Sequence, residues 1–407
     1  MMNHPVWKRK KIGDLFDVQL GKMLNEKAKL GILFPYLANF NVRWGSFDLS
    51  RLNEMSFSES EGKKFSLKPG DLLMCEGGEI GRCAVWQQAN NTLYYQKALH
   101  RLRPLTTDIS SEFVYYYMQH IATKGELPKL VGETSIAHLT REKLICLLIH
   151  VPSRHEQDQI VSILSTWDQA IEKTERLIAA KEKRFLWLSG RYLFGGNRPN
   201  AKASKKTKWF SVPDHWEIVK IGSIAKEVTD TNNAGENIPV LSCTKYDGLV
   251  DSLTYFDKQV FSKDTSNYKV VSSGQFAYAT NHVEEGSIGY QNVYSKGLVS
   301  PMYTVFKTDS IIDDGYLYKV LKTKTYKHIF RVSTSASVDR RGSLRWKEFA
   351  KLPIPLPPAD EQQKITRDLN TVRKEIDLLK KLLEAYRKQK RGLMQKLLTD
   401  QWRVKTM

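Results

Sequence analysis

Leu147–Ile160 reads LLIHVPSRHEQDQI, and Leu352–Ile365 reads LPIPLPPADEQQKI. In each, a short apolar run meets proline, and a Glu-Gln pair then opens a helical pattern. Glu156-Gln157 and Glu361-Gln362 are offset by 205 residues, and the same offset aligns Leu139 with Leu344. Further upstream, Trp7 with Ile12-Gly13 matches Trp216 with Ile221-Gly222 at an offset of 209, and Glu79-Ile80-Gly81 matches Ser287-Ile288-Gly289 at 208. Offsets that drift by only a few residues are what loop insertions produce. The chain is a tandem duplication.

Downstream of the second connector, Ile365, Leu369, Val372, Ile376, Leu379, Leu383 and Tyr386 alternate spacings of four and three, and Leu393 and Leu397 continue the register with Lys390 interrupting it. That is a heptad seam. The 205-residue offset places its counterpart on Ile160, Leu164, Trp167, Ile171 and Ile178, with Thr174 and Lys181 weakening the middle. Each helix is about 60 Å long at about 40 residues. An isolated stripe would face water, so the two helices are expected to pack on each other.

The parts preceding the connectors alternate apolar runs with Gly, Asn, Asp and Ser turns, predicting strand-rich domains. Strands are expected at Asp71–Met74, Ala84–Trp86, Gln275–Ala279 and Val299–Phe306, and short helices at Glu112–Ile121 and Gly315–Tyr326. The predicted organisation is a strand-rich domain at 1–151, a helix at 152–194, a basic flexible linker at 195–208, a second such domain at 209–356, a second helix at 357–400 and a tail at 401–407. The fold class is α+β with approximate internal two-fold symmetry.

Over 407 residues, Lys and Arg exceed Asp and Glu by 63 to 44, a formal charge of +19. Such a surplus favours a polyanionic partner. A membrane is not expected, because Leu144–Val151 is far short of the ~20 residues that span a bilayer and no apolar segment of a secretory signal follows the basic start. Cys75, Cys83, Cys146 and Cys243 form no CxxC pair, as in a reduced, cytoplasmic protein.

Catalytic motifs are missing from the sequence. There is no GxxxxGK[ST] loop and no HExxH pair, and Pro357-Pro358 lies in a connector rather than in an Asn-Pro-Pro-aromatic amino-group pocket. Gly77-Gly78-Glu79-Ile80-Gly81 reads as a turn, since glycine accepts positive φ. Glu284-Glu285 lacks the lysine of a nuclease site, so neither a catalytic nor a metal site is assigned. These readings favour binding over catalysis.

The twin connectors, the Trp…Ile-Gly starts and the Lys68–Leu73 segment (KPGDLL) resemble the specificity subunits of type I restriction–modification systems. The first connector departs at Ser153-Arg154-His155, and the second copy has Ser272-Ser273-Gly274-Gln275 where the first has Pro69-Gly70-Asp71. The resemblance implies a non-catalytic reader of double-stranded DNA in phage defence. Two target recognition domains would each read half of an interrupted sequence, and two antiparallel spacer helices would hold them apart. Two modification subunits would methylate adenine N6 with S-adenosylmethionine, and restriction subunits would add ATP- and Mg-dependent cleavage. No cofactor is expected on this chain itself. A basic coiled-coil scaffold that binds nucleic acid non-specifically is the alternative.

Base edges are read by Arg, Lys, Asn, Gln and Ser, and phosphates by Lys and Arg. In the first copy the candidates are Arg43, Arg82, Gln96, Lys97, Ser135 and His138. Tyr94-Tyr95, just before Gln96, fit either a base-packing role or a strand core. In the second copy the candidates are Arg340, Arg341 and Arg345 in the polar run Ser333–Arg345, with Lys245, Asn281, His282 and Lys296. An ordinary exposed side chain is the plain alternative for each.

Overall fold

The computed structural model describes residues 7–24, 32–89, 93–127, 138–195, 204–334 and 343–404. They form two compact units, Met1–Arg176 with Lys381–Met407, and Leu177–Lys380.

In the first unit, the connector strand Leu148–Val151 pairs antiparallel with Lys8–Lys11. Pro152 ends it, and Ser153 caps the first long helix, Arg154–Leu193, by accepting the Glu156 N–H on its hydroxyl. In the second unit, Pro353–Leu356 pairs with Glu217–Lys220, and Pro357-Pro358 lead into the second long helix, Ala359–Leu397. The Ile-Gly pairs have a packing cause. The Ile12 N–H donates to the Leu147 carbonyl, and the Ile221 N–H donates to that of Leu352. A Cβ on Gly13 would sit 3.0 Å from Ile145 Cβ, and one on Gly222 3.1 Å from Ala350 Cβ. Both short turns therefore press against the segment before the connector, which only glycine permits without a shift.

Each unit holds a four-stranded antiparallel sheet of the same order. In the first it runs Phe16–Leu20, Leu99–Pro104, Leu72–Cys75, Cys83–Val85. In the second it runs Ala225–Val228, Tyr303–Thr308, Phe276–Ala279, Ile288–Tyr290. Successive side chains point to opposite faces. Leu72 and Met74 accordingly join Phe113, Ile160 and Leu164 in one core, while Leu73 and Cys75 join Tyr36, Trp86 and Tyr95 in another. In the second unit Phe276 and Tyr278 join Leu188, Ile365 and Leu369, and Ala277 faces Leu241 and Leu249.

The long helices run antiparallel within each unit. In the first, Ile160 and Leu164 share a core with Met394 and Leu397, and Trp167 meets Tyr386 edge-on with centroids 5.6 Å apart. Ile178, Ile376 and Leu383 are also buried, while Trp167, Ile171, Val372, Leu379 and Tyr386 are half-buried. Lys181, a weak seam position, donates to Glu375 at 2.5 Å.

Four expectations need correction. Val299–Phe306 is two strands, because the Tyr303 N–H donates to the Ser300 carbonyl in a turn. Gly315–Tyr326 is two helices, Asp314–Leu321 and Lys324–Ser333, the second capped by Thr323. The linker gives way to structure before 208, since Ser204–Lys206 pairs with Ser211–Pro213. Finally, strand register sets Cys83, not Ile80, against Ile288: Cys83 pairs with Met74 and Ile288 with Tyr278. The counterpart of Gly81 is thus Gly286, and both have positive φ.

Candidate nucleic-acid interface

In the first unit, three loops gather at one end of the four-stranded sheet, because His100 pairs with both Leu20 and Met74. They are the segment after Leu20, the Glu76–Arg82 hairpin loop and the Gln96–Ala98 turn. The Lys97 N–H donates to the Lys22 carbonyl at 2.8 Å, and the Glu76 N–H to that of Ala98 at 3.0 Å. Glycine shapes the hairpin as expected, with φ of 75° at Gly78 and 74° at Gly81.

The nominated residues separate into two kinds here. Lys97 and His138 are exposed, Gln96 is half-buried, and the His138 ring packs over Gly77. Arg43 is exposed and lies 3.6 Å from Asp48. Arg82, by contrast, turns inward. Its guanidinium donates to the Asn39 carbonyl at 3.0 Å, to Asn39 Oδ1 at 2.7 Å and to Glu79 at 3.0 Å, so it braces the loop. Tyr94 and Tyr95 are core, with Tyr94 stacked on Phe57 at 4.1 Å. Ser135 lies outside the described residues. The sequence reading missed Phe40, exposed beside the hairpin with Arg51 5.9 Å from its ring. The signal was an aromatic inside the polar run Asn39–Arg43.

The second unit repeats this frame with other side chains. Asn281 and His282 follow the strand Phe276–Ala279, and the Leu344 N–H donates to the Thr280 carbonyl, drawing Arg345 to the same end. An open cleft of about 700 Å³ lies there, lined by Lys269, Asn281, Met302, Arg345 and Lys347 among others. Arg345 is exposed, and Lys269 donates to the Tyr303 carbonyl at 2.7 Å. Lys245 flanks the hairpin loop, its ammonium 5.7 Å from the exposed Tyr246 ring. Beneath it, Lys322 donates to the carbonyls of Lys245, Gly286 and Ile288, and burial holds its ammonium below the ordinary lysine value. Lys269, Lys322 and Lys347 escaped the sequence reading because nothing in a single lysine marks its place at a sheet end.

Lys296 is not brought to this end. It pairs with Ser272, beside the Ser273-Gly274 turn, at the opposite end of the sheet from Asn281. Arg340 and Arg341 lie outside the described residues. Among the described residues, His282, Glu284 and Glu285 bring possible ligand atoms within 4.8 Å of one another.

The family of the type I restriction modification DNA specificity domain matches residues 6–182 and again 213–385. The chain belongs to this family. Its matched spans are the two copies, each carried from the recognition-like part into its long helix. The specificity subunit of the type I restriction enzyme MjaX from Methanocaldococcus jannaschii is 23% identical over 98% of this chain and 94% of its own length. The MjaVIII specificity subunit of the same organism is 29% identical over 48% of this chain and 44% of its own. The fold is shared with the S subunit from M. genitalium, at a TM-score of 0.56 and 17% identity over 98% of both chains. It is also shared with the HsdS subunit from Thermoanaerobacter tengcongensis, at 0.54 and 14% over 97% of both.

Membership gives the chain its role: this specificity subunit recognises DNA and is not itself an enzyme. It also gives the Glu-Gln of the connectors a place. Gln157 accepts from the Ser110 N–H at 2.8 Å and donates to the Asp108 and Pro152 carbonyls. Gln362 accepts from the Asp313 N–H at 2.6 Å and donates to the Ile311 and Pro357 carbonyls. Each helix start is thereby fixed to its own recognition copy. Glu156 is held by Arg403 through two nitrogens, whereas Glu361 is held by His215 and Trp216.

Proposed function

We propose that each sheet-end loop cluster reads one half of a bipartite, interrupted DNA target. The carrying observation is one frame with two sets of side chains: the sheets repeat in order, while the loops present Gln96, Lys97 and His138 in one copy and Lys245, Asn281, His282 and Arg345 in the other. The exposed Arg43 is assigned to the first set. Exposed Lys and Arg serve phosphate, and amide or guanidinium groups serve base edges. Arg340 and Arg341 belong to the second set by position in the sequence. Ser135 belongs to the first on the same ground.

The long helices carry the chain into a larger assembly of two modification subunits and restriction subunits. S-adenosylmethionine, ATP and Mg act on those partners, in the cytoplasm. A solved structure of similar fold, with a TM-score of 0.60, comes from work on assembly of the type I restriction–modification system, which supports this reading. No helix among the described residues is long and apolar enough to cross a membrane.

Genomic adenine methylation in cells with and without the chain tests the proposal. Loss of methylation at one interrupted motif is expected. An unchanged pattern, or methyl transfer by the purified chain alone, overturns it.

A further inference from the structure

We infer that the two long helices carry a charge code that favours unlike pairing, a first-copy helix with a second-copy helix, over like pairing. At one heptad position the first helix has Asp168, Glu175 and Glu182; the residues 205 further on are Arg373, Lys380 and Arg387. The sign is reversed at three successive heptads.

The contacts use this reversal. In the first unit, Arg387 donates to Glu175 at 2.7 Å and Lys390 to Asp168 at 2.6 Å. In the second, Lys380 meets Glu182 at 2.7 Å and the Arg373 guanidinium lies 5.6 Å from the Phe185 ring. By the 205-residue correspondence, Glu175–Arg387 and Glu182–Lys380 are counterparts, and so are Asp168–Lys390 and Phe185–Arg373. Two first-copy helices paired in the same geometry would set Glu175 against Glu182 twice and would leave Asp168 facing Phe185. Two second-copy helices would set Lys380 against Arg387 and Arg373 against Lys390.

Tandem duplication alone would let one copy substitute for the other, since a two-fold pair presents the same patch twice. The charges restrict that freedom. Flanking charges choose partners in coiled coils, and repulsion in the wrong pair does as much as attraction in the right one. The Glu175–Arg387 and Glu182–Lys380 bridges are half exposed, so the discrimination is compounded from small contributions to roughly 10–100-fold at low salt. The partner that fits the first helix is therefore a basic-faced second helix, its own or that of another copy of this chain. Resting on the DNA-reading proposal, this favours two different half-sites over a palindrome.

The intact chain supplies the test. E175K/E182K makes both helices basic, and its unfolding equilibrium should shift by roughly tenfold at low salt, recovering as salt rises. Adding K380E/R387E should restore the original value. A four-site variant no more stable than the two-site one overturns the code. As a second measurement, the chain with a protease site inserted between its two copies is cut, and mass-tagged cut samples are mixed and weighed intact. At low salt, unlike pairs should outnumber like pairs by roughly tenfold or more. First-half pairs in an amount comparable to the unlike pairs would overturn the inference. Neither readout involves DNA, so a palindromic methylation motif combined with unlike pairs would count against the proposed reading of DNA and leave the pairing code standing.

Discussion

Lys390 donates from Nζ to Asp168 Oδ1 at 2.6 Å, across the antiparallel helices of the first unit. This buried lysine is the residue that interrupts the heptad seam, and it also donates to Gln119 and lies 5.3 Å from the Tyr116 ring. Tyr116 in turn donates to Asp168. The two partners differ in exposure, 9% for the lysine side chain and 40% for the aspartate, so their removal should be unequal. Asp168→Ala leaves a buried ammonium with only the neutral Gln119 acceptor and the Tyr116 ring and should cost about 2–3 kcal/mol, whereas Lys390→Met leaves a carboxylate that reaches water and should cost about 1 kcal/mol. Denaturant unfolding of the two variants measures the difference.

Gln157 and Gln362 each satisfy one backbone N–H and two carbonyls at the start of a long helix. Replacement by Ala leaves those buried groups unpaired, a cost of about 2–4 kcal/mol. Replacement by Glu retains the acceptor, loses both donations and buries a charge, so Gln157→Glu should be no better than Gln157→Ala. Equal stability of wild type and both variants, by thermal or denaturant unfolding, would remove the clamp from the fold's energetics.

The duplication, the heptads and the connectors were legible because each is a pattern carried by many residues at fixed spacing. Individual side-chain roles were not. Arg82 and Arg345 look alike in sequence, yet one is folded inward onto Asn39 and Glu79 and the other is exposed. Tyr95 and Phe40 are both aromatics in polar company, and only the sheet register buries the first. The Glu-Gln pair was visible as a repeat marker, but its three-way grip joins residues nearly fifty positions apart in sequence. Lys390 broke a seam that, in three dimensions, it completes through Asp168 on the other helix.

His100 is fully buried at the loop end of the first sheet, where Nε2 meets the Leu139 carbonyl at 2.8 Å. Burial holds its pKa below the ordinary histidine value of 6.5, and burial together with Lys124 does the same for His120. The unfolded chain therefore binds more protons than the folded one once pH drops below that value. Stability should be complete above it and decline as pH falls towards the lowered folded values. The unfolding midpoint, followed from about pH 8 to about pH 5, should decrease, and His100→Gln should flatten the slope. A midpoint insensitive to pH in the wild type would contradict the neutral, buried assignment.

Arg345 and Arg82 provide the sharpest contrast for the proposed interface. Arg345→Ala removes an exposed guanidinium beside the Asn281 cleft, so the fold should be untouched and binding to the second half-site weakened. A base contact would cost roughly 1–3 kcal/mol and relax one position of the motif, whereas a phosphate contact would weaken all sequences alike and flatten the salt dependence. Arg82→Ala releases Asn39 and Glu79, so the hairpin of the first copy should loosen, lowering both stability and discrimination in the first half-site only. Binding of the assembled complex to targets altered one position at a time, with unfolding measured in parallel, separates these outcomes. Unchanged affinity for every target in Arg345→Ala would take the cleft out of the interface. Equal damage to both half-sites in Arg82→Ala would mean that its effect reaches beyond the first copy.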